Sequence, residues 1–592
     1  MKIRFIGALG SVTGSCTLFA HRGRYYLVDC GAQQGTDAVD GEATVLPFKP
    51  RGIQAVFLTH AHLDHCGMLP ELIHQGFTGE IYCTRATADL TRLALADAAA
   101  LPSARFTTAD VGQLRFVCLD DLPEHQFGKF RGIAPNLSVS LIRTSHVLGS
   151  VGFEFQFSGG PAKNPAWHRT IVFSGDLGCN TEENCYQSLL NARQYPSTHA
   201  EFLVCESTYG GRVRNPSFAS FEERIRSLRK LLQEAAAHGS GANIIFPCFT
   251  LQRLQDLLVD LHCLLEQTVV DAITPSCKSV MNLAVEVVVD SPLAEKYNEV
   301  FIRELQRMRA NGKPSYLNPE LAGRLNLDHE ELARLLKKLF DGSKKRTVFG
   351  NYVLSYGNTA TNGQVGVRII IAGSGMCIGG RVMEHLKRCL PLANTTVAIT
   401  GYQGFGTPGS ELMKRATNPR AAVDGKPWGL DSAEIKARVV DLSGFFSGHA
   451  DHGGLLDYIF DKQGKQPYRP LKWVFLVHGD DNARTELCRA IEKLKHQNSS
   501  ARRIIERVEL PNPAGPWFDL VREKWAWEFH PKVEHTDQAV NSGFGRLEKL
   551  EKMVQSFCEK GPNAISLDEI IDQVNLAKFH LASARGVESG GI

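Results

Sequence analysis

Residues 58–67 read LTHAHLDHCG, the end of an apolar strand followed by three histidines and an aspartate within six positions. A single histidine is usually a packed or surface residue, but this density at a strand end has no good packing explanation. Imidazole nitrogens and carboxylate oxygens are ligands that suit zinc. Alternate residues at such a turn can also face two adjacent metal positions. The stretch therefore predicts a metal site at the edge of a β-sheet.

More ligands are expected further along the chain, because two metals need about three or four protein ligands each. Four later segments meet this expectation, since each places a polar residue beside a glycine just after an apolar run. These residues are His146, Asp176, His449 and His478. The pattern indicates that one edge of the fold collects ligands from distant parts of the sequence.

The pattern of apolar residues predicts an α/β fold. Up to about Glu206, short β-branched or aromatic runs alternate with glycine-rich turns, and several runs end beside a polar residue. After Tyr209, predicted helices at residues 218–237 and 251–265 flank a predicted strand at 244–247. This alternation favours a doubly wound parallel sheet.

Length and charge limit the classes of protein that need to be considered. A chain of 592 residues predicts several domains, or one domain with a large insertion, and excludes a single small module. Lysine and arginine number 66 and aspartate and glutamate 63, so the net charge is only +3. No global basic field indicates nucleic-acid binding, and any polyanion site must therefore be local.

Cysteine usage and hydropathy bear on location. The fifteen cysteines include no Cys-x-x-Cys pair, which favours reduced thiols in a cytoplasmic protein over a disulfide framework or a zinc ribbon. A membrane-spanning helix needs a run of about 18 apolar residues without charge. The sequence contains no such run, so we expect no membrane association.

The ordered motifs resemble those of metallo-β-lactamase fold nucleases that carry an inserted β-CASP domain. Residues 60–65 match the signature H-x-H-x-D-H, and residues 27–31 look like the first acidic motif of the family. Residues 206–210 (ESTYG) are similar to its later acidic motif. Residues 447–451 (SGHAD) and 477–479 (VHG) look like the second and third β-CASP motifs. The resemblance implies an αββα sandwich with an inserted doubly wound α/β domain.

The resemblance also implies a division of the chain. The expected parts are a first sandwich segment at 1–208, an inserted domain at 209–438, a closing sandwich segment at 439–532, and a helical tail of unknown role at 533–592. The motifs of the insertion look closer to bacterial and archaeal homologues of the mRNA 3′-end cleavage nuclease than to ribonuclease J. One departure is Arg214, which stands where many relatives carry a histidine.

Carried over position by position, the family pattern implies a site with two Zn²⁺ ions, with Mn²⁺ as the alternative. One ion would be held by His60, His62 and His146, the second by Asp64, His65 and His478, with Asp176 bridging them. The catalytic residues would be Asp64, Glu206 and His449, where His449 donates a proton and Glu206 orients it. The turn at Ser374 and Gly375, together with Arg253, would bind substrate phosphates.

The implied function is metal-dependent hydrolysis of single-stranded RNA by an endonuclease, with 5′-to-3′ exonuclease action and homodimer formation left open. A DNA nuclease is the main alternative. His478 favours RNA, because DNA-processing members tend to have valine at that position. A small-molecule hydrolase would not need an insertion of about 230 residues, which is large enough to form a domain. A non-catalytic scaffold would usually have lost ligands, whereas all seven positions here are His or Asp.

Overall fold

The computed structural model describes most of the chain up to Ala526. The described residues are 1–33, 46–101, 104–121, 127–159, 167–182, 189–266, 284–308, 315–357, 366–404, 406–461, 469–497, 503–513 and 515–526. The tail expected at residues 533–592 lies outside them.

The part of the chain before Tyr209 is rich in strands. Its described strands are β1 (Lys2–Gly7), β2 (Cys16–His21), β3 (Arg24–Val28), β4 (Ile53–Phe57), β5 (Glu80–Cys83), β6 (Phe116–Cys118), β7 (Arg131–Ala134), β8 (Leu137–Arg143), β9 (Val151–Gly159), β10 (Trp167–Phe173) and β11 (Phe202–Glu206). Its described helices are α1 (Leu63–Cys66), α2 (Leu69–His74), α3 (Arg85–Ala98) and α4 (Thr108–Gly112).

The next part alternates helices and strands, as the sequence pattern predicts. Its described helices are α5 (Phe221–Ala237), α6 (Arg253–Leu265), α7 (Pro292–Leu305), α8 (Glu320–Arg324), α9 (His329–Phe340), α10 (Arg381–Cys389) and α11 (Pro408–Thr417). Its described strands are β12 (Ala242–Pro247), β13 (Val285–Asp290), β14 (Arg346–Val348), β15 (Tyr352–Tyr356), β16 (Val367–Ala372), β17 (Thr395–Ile399) and β18 (Arg438–Asp441). We call this part, from α5 to β18, the inserted domain.

The closing part returns to the first fold. It contains α12 (His452–Phe460), β19 (Leu471–Val477), α13 (Asp481–Lys495), β20 (Ile505–Glu509), β21 (Trp517–Asp519) and β22 (Lys524–Ala526). In the described part of the chain, no helix is both long and apolar enough to cross a membrane.

Two sheets built from the first and closing parts pack face to face, and we call them the sandwich. Their strand orders are β22-β21-β1-β2-β3-β4-β5-β6 and β20-β19-β11-β10-β9-β8-β7. Phe153, Phe155 and Phe157 are two residues apart in β9, so their side chains point to the same face. All three lie in the core between the sheets, where the ring of Phe57 is 4.8 Å from that of Phe155. Helices cover both outer faces, which confirms the αββα arrangement.

The inserted domain is a third sheet, with the order β14-β15-β13-β16-β12-β17-β18. All of its described pairings are parallel except that of β14 with β15. Apolar clusters on both faces bury the sheet against helices, among them α5, α6, α7 and α9 on one face and α10 and α11 on the other. This burial explains the continuous apolar runs in its strands. The doubly wound prediction is confirmed, and pairing of β18 with β17 extends the sheet just past the boundary expected at residue 438.

The two domains meet beside one edge of the sandwich. Strands β10, β11 and β19 run parallel, so the residues at their carboxyl ends, Asp176, Glu206 and His478, lie at the same edge. In the same region, Val147 and Leu148 of the sandwich share an apolar cluster with α6 of the inserted domain. The expected ligands therefore lie where the inserted domain docks.

Candidate active site

The segment from the end of β4 through α1, which we call the ligand turn, carries the first ligands and is fixed by the backbone around it. The amide of Ser15 donates to the carbonyl oxygen of Asp64, and the amide of Cys30 donates to that of His65, both at 2.8 Å. A Cβ on Gly31 would lie 1.6 Å from the carbonyl oxygen of Asp64. Only glycine fits at this position without displacing the ligand turn.

His60, His62, His146 and Asp176 form what we call the first ligand group. His62 Nδ1 is 3.1 Å from both His60 Nε2 and His146 Nε2. Asp176 Oδ2 is 3.5 Å from the same two Nε2 atoms. Tetrahedral zinc with bonds of about 2.0–2.1 Å separates its ligand atoms by about 3.4 Å. The spacing of these four atoms therefore fits a tetrahedral metal ion.

Asp64, His65 and His478 form the second ligand group, which Asp176 also joins. His65 Nε2 and His478 Nε2 are 3.1 Å apart, and Asp64 Oδ2 is 3.4 Å from His478 Nε2. The other carboxylate oxygen of Asp176, Oδ1, lies 3.4 Å from His65 Nε2. The structure thus brings together all seven residues expected to bind metal, in the two groups that the resemblance implies.

Asp176 is the strongest indication that cations belong here. Both carboxylate oxygens are buried, and neither accepts a hydrogen bond from the described residues. Burial raises the pKa of this carboxyl, but the neighbouring imidazoles, His478 and His65 foremost, bring the pKa well below its usual value. A buried, ionised carboxylate without hydrogen bonds is costly unless it binds a cation. Each oxygen faces a different ligand group, as a bridging carboxylate requires.

The imidazoles of the first ligand group are neutral, as metal ligands must be. Burial lowers the pKa of His62 to about 4. Burial also brings the pKa values of His60 and His146 well below the usual range. Neutral imidazoles leave a nitrogen lone pair for a metal at physiological pH.

Asp29 holds His65 from behind. Its Oδ2 accepts a hydrogen bond of 2.7 Å from His65 Nδ1 and one of 2.9 Å from the hydroxyl of Thr59. Its Oδ1 accepts the backbone amide of Thr59 at 2.8 Å. The bond to Nδ1 fixes the ring and leaves Nε2 directed at the second ligand group. Such carboxylate–histidine pairs orient metal ligands in many proteins.

Two other ligands are oriented by contacts that the sequence did not reveal. His146 Nδ1 donates to the carbonyl oxygen of Gly448 at 2.8 Å. His478 Nδ1 is 3.0 Å from the hydroxyl of Thr208, which also donates to the carbonyl oxygen of His478. Thr208 lies within the ESTYG motif, whereas a backbone carbonyl such as that of Gly448 leaves no signal in a sequence.

His449 and Glu206 form a separate pair beside the ligand groups. His449 Nδ1 is 3.1 Å from Glu206 Oε1, which also accepts the amide of Leu177. Burial alone lowers the pKa of His449, but the adjacent Glu206 carboxylate raises it above the usual value. The His449 side chain is 18% exposed, against 1% for Glu206. His449 is therefore a partly accessible imidazole whose protonated form is stabilised by Glu206.

Arg253 reaches the same region from the inserted domain. Its Nη2 is 3.2 Å from the position that a Cβ on Gly448 would occupy, next to the ring of His146. Its Nη1 is 3.4 Å from Asp256 Oδ2. Asp256 was not expected from the sequence, and burial raises its pKa to about 6.

Ser374 and Gly375 follow β16 at the carboxyl edge of the inserted sheet. The amide of Ser374 already donates to the carbonyl oxygen of Gly379 at 3.3 Å, so a phosphate would have to compete for it. A Cβ on Gly375 would lie 2.7 Å from the ring of Phe249. Binding of phosphate by this turn stays a prediction.

Arg214, the departure from the family pattern, supports the loop of His449. Its Nη2 donates to the carbonyl oxygen of His449 at 3.0 Å, and its backbone amide donates to Asp451 Oδ2 at the same distance. Its Nη1 lies 3.1 Å from Cys179 Sγ. Arg214 thus contacts the backbone behind His449.

Comparisons with known proteins agree with this geometry. Residues 9–155 match the metallo-beta-lactamase superfamily, residues 254–412 the Beta-Casp domain, and residues 432–501 the Zn-dependent metallo-hydrolase RNA specificity domain. The protein "Ribonuclease TTHA0252" of Thermus thermophilus is 30% identical over 485 residues, which are 81% of this chain and 94% of that relative.

Two further similarities are more distant. "Transcription termination factor FttA" of Methanocaldococcus jannaschii is 25% identical and covers 83% of this chain and 69% of its own. A solved protein of unknown function from Enterococcus faecalis V583 aligns with a TM-score of 0.43 and 12% identity, covering 81% of this chain and 94% of its own. From the family matches and the Thermus relative, the chain belongs to the β-CASP family of metal-dependent nucleases within the metallo-β-lactamase superfamily.

Proposed function

We propose that the protein hydrolyses phosphodiester bonds of single-stranded RNA with two zinc ions in the two ligand groups. The observation that carries the proposal is Asp176, whose two buried oxygens face separate groups of His and Asp ligands. The RNA specificity domain and the relative named as a ribonuclease support RNA as the substrate. The donor set of imidazole and carboxylate suits zinc, and manganese is the alternative.

The residues of the two ligand groups would hold the two ions, and Asp176 would serve both. Bound there, the ions would supply a water of lowered pKa and offset negative charge on the phosphodiester during hydrolysis. Asp64 contributes to the second ligand group and completes the negative charge that balances the cations. The Asp29 carboxylate keeps His65 in the tautomer whose Nε2 lone pair points at the second group.

His449 would supply the proton that the leaving sugar oxygen requires. Its ring lies 4.5 Å from the ring of His146, measured between centroids, and it forms a third cluster with Glu206 and Asp176 beside the two ligand groups. Glu206 raises the pKa of His449 and holds the ring through Nδ1, which leaves Nε2 to act as a general acid. Removing the Glu206 carboxylate should therefore leave less of the His449 imidazole protonated at a given pH and misplace the ring.

Arg253 would neutralise a substrate phosphate close to the bond that is cleaved. Its guanidinium approaches His146 and Gly448 from the inserted domain, so a strand bound at the ligand groups would pass within its reach. A guanidinium offers several N–H donors for two-point binding of phosphate. Ser374 and Gly375 would contact a phosphate further along the strand.

Single-stranded RNA fits an active site at the junction of two domains better than a rigid duplex does. The net charge of +3 provides little attraction over the whole surface, so binding should depend on local phosphate contacts and weaken as salt rises. We expect little sequence preference. DNA-processing members of the family tend to have valine at the position of His478. By this resemblance, His478 supports RNA over DNA. The free thiols of the described cysteines suit a cytoplasmic protein.

The proposal is tested by digesting 5′- and 3′-labelled RNA and DNA of equal sequence, both as single strands and as duplexes. We expect single-stranded RNA to be cleaved fastest, with an Asp176→Ala preparation as the control for contaminating nucleases. Internal fragments from both labels would indicate an endonuclease, whereas stepwise loss of the 5′ label would indicate an exonuclease. Equal or faster cleavage of DNA under matched metal and salt would contradict the proposal. Mass measurement in solution checks whether the protein forms a homodimer.

A further inference from the structure

Gln252 has an unusual backbone for a residue with a side chain. It precedes α6 with φ 73° and ψ −53°, and its side chain is completely buried. Residues other than glycine rarely adopt such angles, and strained conformations persist only where the surrounding structure holds them. Contacts of the buried Gln252 side chain must therefore hold this backbone conformation.

Both ends of the Gln252 amide are hydrogen-bonded, and the partners lie in different domains. Oε1 accepts the backbone amide of Leu148, in the sandwich, at 3.0 Å. Nε2 donates to Asp256 Oδ2, on α6 of the inserted domain, at 3.1 Å. Gln252 therefore connects the start of α6 directly to the turn that follows the ligand His146.

The turn after His146 depends on this connection for one of its backbone amides. The amides of His146 and Val147 donate to the hydroxyl of Ser150, at 3.1 Å and 3.2 Å, within the sandwich. The next amide, that of the buried Leu148, donates to Gln252 instead. The inserted domain thus supplies a hydrogen-bond acceptor to the turn that positions His146.

We propose that Gln252 is a positioning residue through which the docked inserted domain holds His146 in the first ligand group. The inference rests on the metal assignment of the proposed function. It adds that the affinity of one of the two metals depends on a residue of the other domain. Loss of the Gln252 side chain would leave the amide of Leu148 without its acceptor and free the His146 turn to shift.

The test compares Gln252→Gly and Gln252→Ala with the wild-type protein by competition of bound zinc against a chelator. Substituting a residue that contacts and orients a metal ligand typically lowers metal affinity by about 10- to 100-fold. Gln252 contacts the turn after His146 and not the His146 ring itself. We expect both variants to release one of two zinc ions at about tenfold lower chelator concentration and to keep the other. Cobalt-substituted samples should show altered absorption bands for the same ion.

The two substitutions separate the hydrogen bonds from the backbone strain. Glycine adopts positive φ without steric cost, so Gln252→Gly should unfold at a higher temperature than Gln252→Ala. If the side-chain contact to Leu148 matters, zinc release is equally easy in both variants despite their different stabilities. If zinc release instead follows unfolding temperature, the role of Gln252 is only structural and the inference is wrong.

Arg307→Ala is the matched control for docking of the inserted domain. Arg307 joins the two domains through ion pairs of 2.9 Å with both Asp120 and Asp121. We expect Arg307→Ala to release zinc at the same chelator concentration as the wild type. If it binds zinc as weakly as the Gln252 variants do, Gln252 has no specific role and the inference is wrong. A wild-type protein without two metals would contradict the proposed function. Two metals in the wild type, with unchanged release from both Gln252 variants, would contradict only this inference.

Discussion

Polar residues follow parallel strands at the edge of the sandwich and at the edge of the inserted sheet. The two edges differ in whether the carboxylates there have hydrogen-bond partners. At the sandwich edge, both oxygens of Asp176 lack hydrogen bonds from the described residues. At the inserted edge, Asp290 pairs with His385 at 2.8 Å and Arg253 with Asp256 at 3.4 Å. The first edge needs cations to be electrostatically complete. At the second edge these carboxylates already pair with basic side chains, so a substrate phosphate would have to compete for Arg253.

This difference predicts different consequences of substitution. A change at the sandwich edge removes a ligand for which the protein offers no replacement, so activity should be lost. A change at the inserted edge would remove one of several proposed contacts with the substrate, so it should weaken binding without abolishing activity.

Asp176→Ala should remove both metals and all metal-dependent cleavage. The loss should exceed the roughly 10²- to 10⁴-fold that is typical for removal of a general acid. Elemental analysis of dialysed protein measures the metals directly. Asp64→Ala is the matched control, because Asp64 belongs only to the second ligand group and its loss should spare the other ion. Retention of one tightly bound ion in Asp176→Ala would argue against bridging.

His449→Ala should lower kcat by roughly 10²- to 10⁴-fold and leave the metal content unchanged. The imidazole would donate a proton and bind no metal, so its removal should affect only the chemical step. Single-turnover cleavage and elemental analysis of the same preparation measure the two effects together. Loss of a metal from this variant would make His449 a ligand and would require a new assignment for the proton donor.

Asp29→Asn should weaken the second metal by roughly 10- to 100-fold while leaving the first in place. Asparagine keeps the shape of the side chain but cannot accept three hydrogen bonds with two carboxylate oxygens. Chelator competition would then show weaker binding of the ion in the second ligand group only, whereas Gln252→Gly should weaken binding of the ion in the first. Weakening of both ions to the same extent would indicate a general disturbance of the ligand turn.

Glu206→Gln should move the alkaline limb of the pH profile to lower pH. The Glu206 carboxylate raises the pKa of His449, and the proton donor works only when protonated. Activity is therefore present below this pKa and lost as pH rises through it. Without the carboxylate the pKa falls, so the loss begins at lower pH. An unchanged alkaline limb in a plot of log kcat against pH would show that another group controls it.

Much of the fold and the ligand set could be predicted because the relevant information is local. Residues 60–65 carry four ligands within a single turn, and strands buried on both faces leave unbroken apolar runs. The first residues of two helices differ from those predicted. The helix expected at 251–265 begins at Arg253 because Gln252 takes a positive φ, and that expected from 218 begins at Phe221 because Ser220 caps it.

What could not be predicted are contacts between distant residues. The hydrogen bond from Leu148 to Gln252 joins positions 104 residues apart, and nothing in either local sequence indicates it. The same holds for the hydrogen bond from His146 to the carbonyl oxygen of Gly448, which lies 302 residues further along the chain. Tertiary packing alone decides which of these groups meet the ligand turns.

The smallest effect should come from Arg253→Ala, since Ser374 and Gly375 are proposed to contact the substrate as well. We expect weaker binding of single-stranded RNA, unchanged metal content, and a salt dependence whose slope is smaller by about 0.7, the value for one phosphate contact on a single strand. Arg253→Lys keeps the charge and should retain the slope while losing the two-point contact. If Arg253 only balances the buried Asp256, Arg253→Ala would lower the unfolding temperature more than Arg253→Lys does, and both variants would leave the salt slope unchanged. The slope therefore decides whether Arg253 serves the substrate or the fold.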